Sequence, residues 1–143
     1  MRKIEVLQNS AIRIISNDYG HVSTHYQTFN ILKLKDNITL KNCLLIHDFI
    51  NKKLPPSFNN YFITCEDLHT ITTRNALKGY IFVPDVDTVS YGRKSIKHQA
   101  ILSWNHLSEL YPDQDFIRMP RNKFSKLVKT HFIESYFSTQ PDP

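Results

Sequence analysis

Pro120-Arg121-Asn122-Lys123-Phe124-Ser125-Lys126-Leu127-Val128-Lys129-Thr130-His131-Phe132 is the stretch that decides the fold class. Proline is tolerated in a first helical turn, and Phe124, Leu127, Val128, His131 and Phe132 then recur at the spacing of one helical face. Lys123, Lys126 and Lys129 fall on the opposite side, which predicts a helix with an apolar inner and a basic outer face.

Working outward, the same period recurs. Ile96, Ala100, Ser103, Trp104 and Leu107 share a face and predict a helix over 95–107, with Trp104 in the core. From Leu34 to Lys53 apolar residues occupy more than one face, the pattern of a central helix, and Leu54-Pro55-Pro56 stops it. Phe58, Tyr61 and Phe62 follow as an aromatic plug. At the other end Ile4, Leu7, Ala11, Ile14 and Ile15 form a stripe, with Arg2, Lys3 and Arg13 off it, that predicts an amphipathic helix. Ser16 to Gly20 ends it with residues that tolerate left-handed backbone, and Ser23 or Thr24 can cap a short helix toward Phe29. Residues 64–73 read as an irregular crossing. Tyr80 to Val83 has strand composition, with Val89 to Tyr91 as a short hairpin partner.

The expectation is therefore a mainly α fold: one small helical domain over 1–137, of about four to five helices with room for a short β-hairpin, and a frayed tail over 138–143. The 143 residues, 41% of them hydrophobic, supply one core, and three glycines argue against a linker. Cys43 and Cys65 form no CxxC pair and no signal-like segment precedes them, so the chain reads as intracellular with reduced thiols. No apolar run approaches the roughly 18 residues of a membrane span.

Catalytic motifs are missing. There is no GxSxG elbow, P-loop or GxGxxG turn. His21 and His25 stand at i, i+4, the spacing of two ligands on one helix, but no second pair or HExxH glutamate completes a zinc site. Asp85 with Asp87, and Asp113 with Asp115, each follow a proline, where aspartate is ordinary turn chemistry. Polymerase chemistry needs paired aspartates that hold two metal ions, and Tyr111-Pro112-Asp113-Gln114-Asp115 resembles that Tyr-x-Asp-Asp sequence only superficially, because the proline and the split aspartates work against its geometry. The reading is a non-enzyme without metal, cofactor or small-molecule substrate.

The formal net charge of +5 favours polyanionic partners. Arg74, Lys78, Arg93, Lys94 and Lys97 lie among Tyr80, Phe82 and Tyr91, an interleaving that suits phosphate contact and base stacking. These five basic residues are the candidate RNA- or DNA-binding set.

Taken in order, the segments carry a resemblance. Leu7-Gln8-Asn9-Ser10-Ala11-Ile12-Arg13-Ile14-Ile15, then Phe29-Asn30-Ile31-Leu32-Lys33-Leu34, Leu54-Pro55-Pro56-Ser57-Phe58 and His69-Thr70-Ile71-Thr72-Thr73-Arg74 resemble successive motifs of the region after the polymerase domain in CR1-like and jockey-like non-LTR retrotransposon proteins. Tyr91-Gly92-Arg93-Lys94-Ser95-Ile96 through Trp104-Asn105-His106-Leu107 is similar to the most distinctive block of that region, and Phe124 and Leu127 to its last helix. Ala100 stands where the family usually has glycine, and Ser108 where it has proline. The resemblance implies a non-catalytic C-terminal piece of an RNA-directed DNA polymerase. Its polymerase aspartates have no counterparts here, so what it implies is support: contact with template or element RNA, or packing on the element's own polymerase domain. An inactive folded relic and a protein-interaction module reused by a host are the alternatives.

Overall fold

The computed structural model describes residues 2–68 and 79–138, and the architecture is helical. The α-helices among the described residues are α1 (Arg2–Ser16), α2 (Val22–Thr28), α3 (Leu34–Ile50), α4 (Cys65–Leu68), α5 (Ile96–Leu110) and α6 (Arg121–Ser138), with a 3-10 turn at Pro56–Phe58 and a π-helical turn at Val89–Arg93. Contacts gather into two compact units, one of 1–40 with 125–143 and one of 41–124. Residues 139–143 of the expected tail, and the HxxxTR segment 69–74, lie outside the described residues.

The first three helices end alike. Asn17, Asn30 and Lys52 adopt left-handed backbone (φ 51°, 52° and 54°), and the two amides at each end turn back to carbonyls of the last helical turn, as in Asp18 N to Arg13 O (3.3 Å) and Lys53 N to Asp48 O (2.8 Å). These bonds satisfy carbonyls that a helix end leaves open. With glycine scarce, asparagine, which tolerates this geometry, serves at two of the three. The ending at Lys52 stops α3 before Leu54-Pro55-Pro56 is reached.

In the first unit the core is Ile12, Tyr26 and Tyr136, with Val22 and Ile133 packed against it. The Tyr26 and Tyr136 rings meet edge to face at 6.3 Å. Tyr136 donates its hydroxyl proton to Asp36 and accepts from the Lys33 amide, while Lys33 Nζ lies 4.3 Å from its ring centroid. Burial, reinforced by the Asp36 bond, pushes the Tyr136 phenol well above its ordinary range.

Here α1 forms as the expected amphipathic helix. Its apolar stripe faces water: Leu7 is 68% exposed and Ile14 71%, with Ile4, Ala11 and Ile15 exposed beside them. The helix is held by its other side. Ile12 is buried, Gln8 donates to Leu32 O (2.9 Å) and accepts from Leu34 N (2.9 Å), and Asn9 accepts from the Tyr26 hydroxyl (2.8 Å). Helical spacing shows which residues share a face and is silent on what covers that face.

The cap of α2 differs from the expected one. The helix begins after His21, with no side-chain cap, and the Thr24 hydroxyl donates to His21 O (2.7 Å).

In the second unit Trp104 is fully buried, with Phe116 and Phe124 against its ring at centroid distances of 6.2 and 5.7 Å. His47, also fully buried, stacks on Phe124 at 4.9 Å. Its Nε2 lies 2.9 Å from Met119 O; because a carbonyl only accepts, Nε2 carries the proton. The aromatic plug forms, with Phe62 edge-on to Phe49 at 5.0 Å and to Tyr61 at 4.8 Å.

No β-hairpin forms among the described residues. Tyr80 to Phe82 does adopt an extended course, but its partner is 63–65, through the single antiparallel bridge Thr64 to Ile81 flanked by Cys65 N to Tyr80 O (2.9 Å) and Phe82 N to Ile63 O (2.8 Å). Val89 to Tyr91 belongs instead to the π-helical turn. Of the crossing expected at 64–73, residues 64–68 are described, and there Thr64 caps α4: its hydroxyl accepts from Asp67 N (3.2 Å) and its own amide donates to the Asp67 carboxylate (3.3 Å).

Candidate nucleic-acid interface

The surface begins with the turn that opens α5. Arg93 N bonds Thr88 O and Lys94 N bonds Val89 O, both at 3.1 Å and both spanning five residues, which makes the turn wide. Gly92 permits it: a Cβ there would stand 2.7 Å from Val86 Cβ, so any larger residue would push the loop away. The turn is then tied to the helix. Ser95 caps α5 by accepting from His98 N (3.2 Å), and Gln99 Nε2 donates to Arg93 O (2.6 Å).

This frame sets out the candidate residues unequally. Arg93 and Lys94 are exposed at the end of the turn, and among the described residues no carboxylate pairs with them. Lys97 is half-buried, its Nζ 5.0 Å from the Tyr61 ring centroid, so it already has a cation–π partner. Arg74 and Lys78 lie outside the described residues. Tyr91 is 90% exposed beside Arg93 and Lys94. Asp85 and Asp87 are exposed in the preceding loop, and Asp85 accepts from Val86 N (3.0 Å).

The support beneath the site includes one residue the sequence reading left without a role. Asn105 brackets Ile81, accepting from its amide (3.0 Å) and donating to its carbonyl (2.8 Å), so a side-chain amide does what a neighbouring strand would. Trp104 Nε1 donates to Gly79 O (2.9 Å), two residues before Ile81 in the same segment. The Trp104-Asn105 pair thus fastens 79–81 to α5. The signal was the adjacency of two side chains that can each bond a backbone.

Elsewhere the structure places the remaining chemistry-bearing residues in ordinary roles. His25 Nε2 lies 3.1 Å from the Asp18 carboxylate, and His21 is exposed. Asp115 accepts from Arg118 N (3.1 Å), closing a turn. No three His, Cys, Asp or Glu residues gather as a metal-binding set among the described residues. Nor, among them, is any helix long and apolar enough to cross a membrane.

Comparisons with protein-family models, with curated proteins and with solved structures find no match to this chain.

Proposed function

We propose that the chain is a non-catalytic, nucleic-acid-contacting module from the C-terminal region of a mobile-element RNA-directed DNA polymerase, gripping phosphates with Arg93 and Lys94. The carrying observation is the fixed wide turn that holds both side chains in water, with no carboxylate among the described residues paired to them. The ordered motifs from Leu7 to Leu127 support the element origin. Affinity on this reading is modest, largely indifferent to sequence, and falls with salt as counterions are released.

Replacing both residues, R93Q with K94Q, is expected to flatten the plot of log affinity against log salt by roughly 1–2 units, because each phosphate contact contributes slightly less than one. Lys123 and Lys126, exposed on α6, are the comparison, and their replacement leaves the slope in place. A titration with a labelled RNA at several salt concentrations reads both. Absence of binding at low salt would remove this function.

A second reading, packing on the element's polymerase domain, is favoured by the exposed stripe of α1. If that stripe is a docking face, L7D with I14D leaves the melting temperature of the isolated chain within about 2 °C, since exposed positions contribute little to stability. The same pair abolishes co-purification with the polymerase domain. A large drop in melting temperature would instead show that the stripe is covered within the chain.

A further inference from the structure

Tyr91 is the least economical residue of the surface just described. A tyrosine carries a large apolar ring, and leaving 90% of it in water contributes nothing to the fold. Nor is it a lone exposed apolar side chain: Val89, which opens the turn, and Ile96, the first residue of α5, are 57% and 68% exposed. The backbone beneath is fixed by the five-residue-spanning bonds, by Gly92 against Val86 and by Gln99 on Arg93 O. A ring held on such a frame loses little freedom when something stacks on it, whereas a ring on a loose loop would.

From this we infer that Tyr91 is a stacking platform for an unpaired base, and that the ligand class of the turn is single-stranded nucleic acid. The inference rests on the phosphate-gripping reading above and adds to it. Arg93 and Lys94 follow Tyr91 by two and three residues, so a ring face and two cations leave one short turn together. That is the combination that holds a single strand, with cations along the backbone and an aromatic under the base. In a duplex the base faces are already stacked and only phosphates remain available. Tyr91 therefore discriminates between the two forms, where Arg93 and Lys94 do not. Every base has a π face, so little sequence preference accompanies the selectivity. Docking of a protein segment on the same apolar turn would use Tyr91, Val89 and Ile96 but would give no preference between strands.

The test is fluorescence anisotropy with a labelled single strand of mixed sequence and with its duplex, at low salt, for the wild type, Y91L, Y91W and R93Q/K94Q. The wild type is expected to bind the single strand more tightly. Y91L loses roughly 10-fold or more on the single strand, the usual loss when a stacking ring is removed, and nothing on the duplex. Y91W restores the preference, and R93Q/K94Q weakens both forms together. Because the side chain is exposed, thermal melting should be the same for all Tyr91 variants, which separates loss of contact from loss of fold. Equal wild-type affinity for both forms overturns the stacking role. So does a Y91L variant that binds like the wild type while R93Q/K94Q is weakened, and in that case the phosphate reading stands. No binding to either form by any variant overturns both.

Discussion

Trp104→Ala is expected to destabilise the protein by about 3–5 kcal/mol, the range for truncating a large buried aromatic, and so to lower its melting temperature by roughly 10–20 °C. Two losses combine, and the neighbouring segment has little room to offset them. The indole is fully buried, so its removal leaves a cavity that Phe116 and Phe124 on either side can fill only in part. The Gly79 carbonyl loses its donor. Gly79 itself sits in left-handed backbone (φ 67°), with its Cα against Ile117 so closely that a Cβ would stand 2.6 Å from Ile117 Cδ1, so the segment has little room to collapse inward. Trp104→Phe separates these terms: it keeps most of the ring volume and gives up the bond to Gly79. Its cost should be nearer the roughly 1–3 kcal/mol, or less, of one part-buried carbonyl left without its donor. Circular dichroism melts of the two variants decide the matter, and an unchanged melting temperature for the alanine variant would take Trp104 out of the core.

The second large effect is chemical. Cys43 and Cys65 are both free, but Cys43 is buried in α3, and burial pushes its thiol up to about 12. Cys65, half-buried at the start of α4, is raised too, also by burial. Only the thiolate attacks an alkylating reagent, and an upward shift of about three units leaves roughly 1,000-fold less thiolate near neutrality. Obstructed access adds to this. In the native protein near pH 8, Cys65 should therefore be labelled much faster than Cys43, by up to about 1,000-fold from thiolate content alone, with the two rates converging once the chain is unfolded. Mass spectrometry of the labelled sites measures the ratio, and similar native rates would place Cys43 at the surface. The same shift bears on stability. A thiol whose folded value lies above its unfolded value of about 9 contributes fully below that value, and its contribution is lost as pH rises toward about 12. The Tyr136 phenol, also raised, acts in the same direction, so the fold weakens in alkali.

Much of the helical framework was legible in the sequence. Phe124, Val128, Ala100, Trp104 and Leu107 are buried where their spacing put them, and Ser16 to Gly20 does contain the left-handed residue that ends α1. What the period could not supply was the partner of each face. The stripe of α1 is regular, yet the helix is held by Gln8, Asn9 and Ile12, because two side-chain amides there satisfy backbone groups at 32 and 34 and a buried hydroxyl at 26. Likewise Tyr80 to Val83 has the β-branched and aromatic composition of an extended segment, but composition does not name the pairing, and 63–65 with the Asn105 amide took the place assigned to Val89–Tyr91. At the site, Arg93 and Lys94 were readable as basic residues beside an aromatic. The half-burial of Lys97 against Tyr61, 36 residues away in sequence, was not, since it depends on how the aromatic plug folds back.

The bare stripe of α1 also sets how this protein behaves in concentrated solution. Its exposed isoleucines and leucine make an adhesive patch, and an uncovered patch of this kind promotes association between copies. The net charge of +5 opposes that, since like-charged molecules repel at a distance. Added salt shortens the reach of the repulsion to about 8 Å at physiological strength and leaves the apolar attraction intact. Colloidal stability and the proposed polyanion capture thus draw on the same cations: on that proposal, the ionic strength that would free the protein from a nucleic acid is also the one at which its molecules most readily adhere to one another.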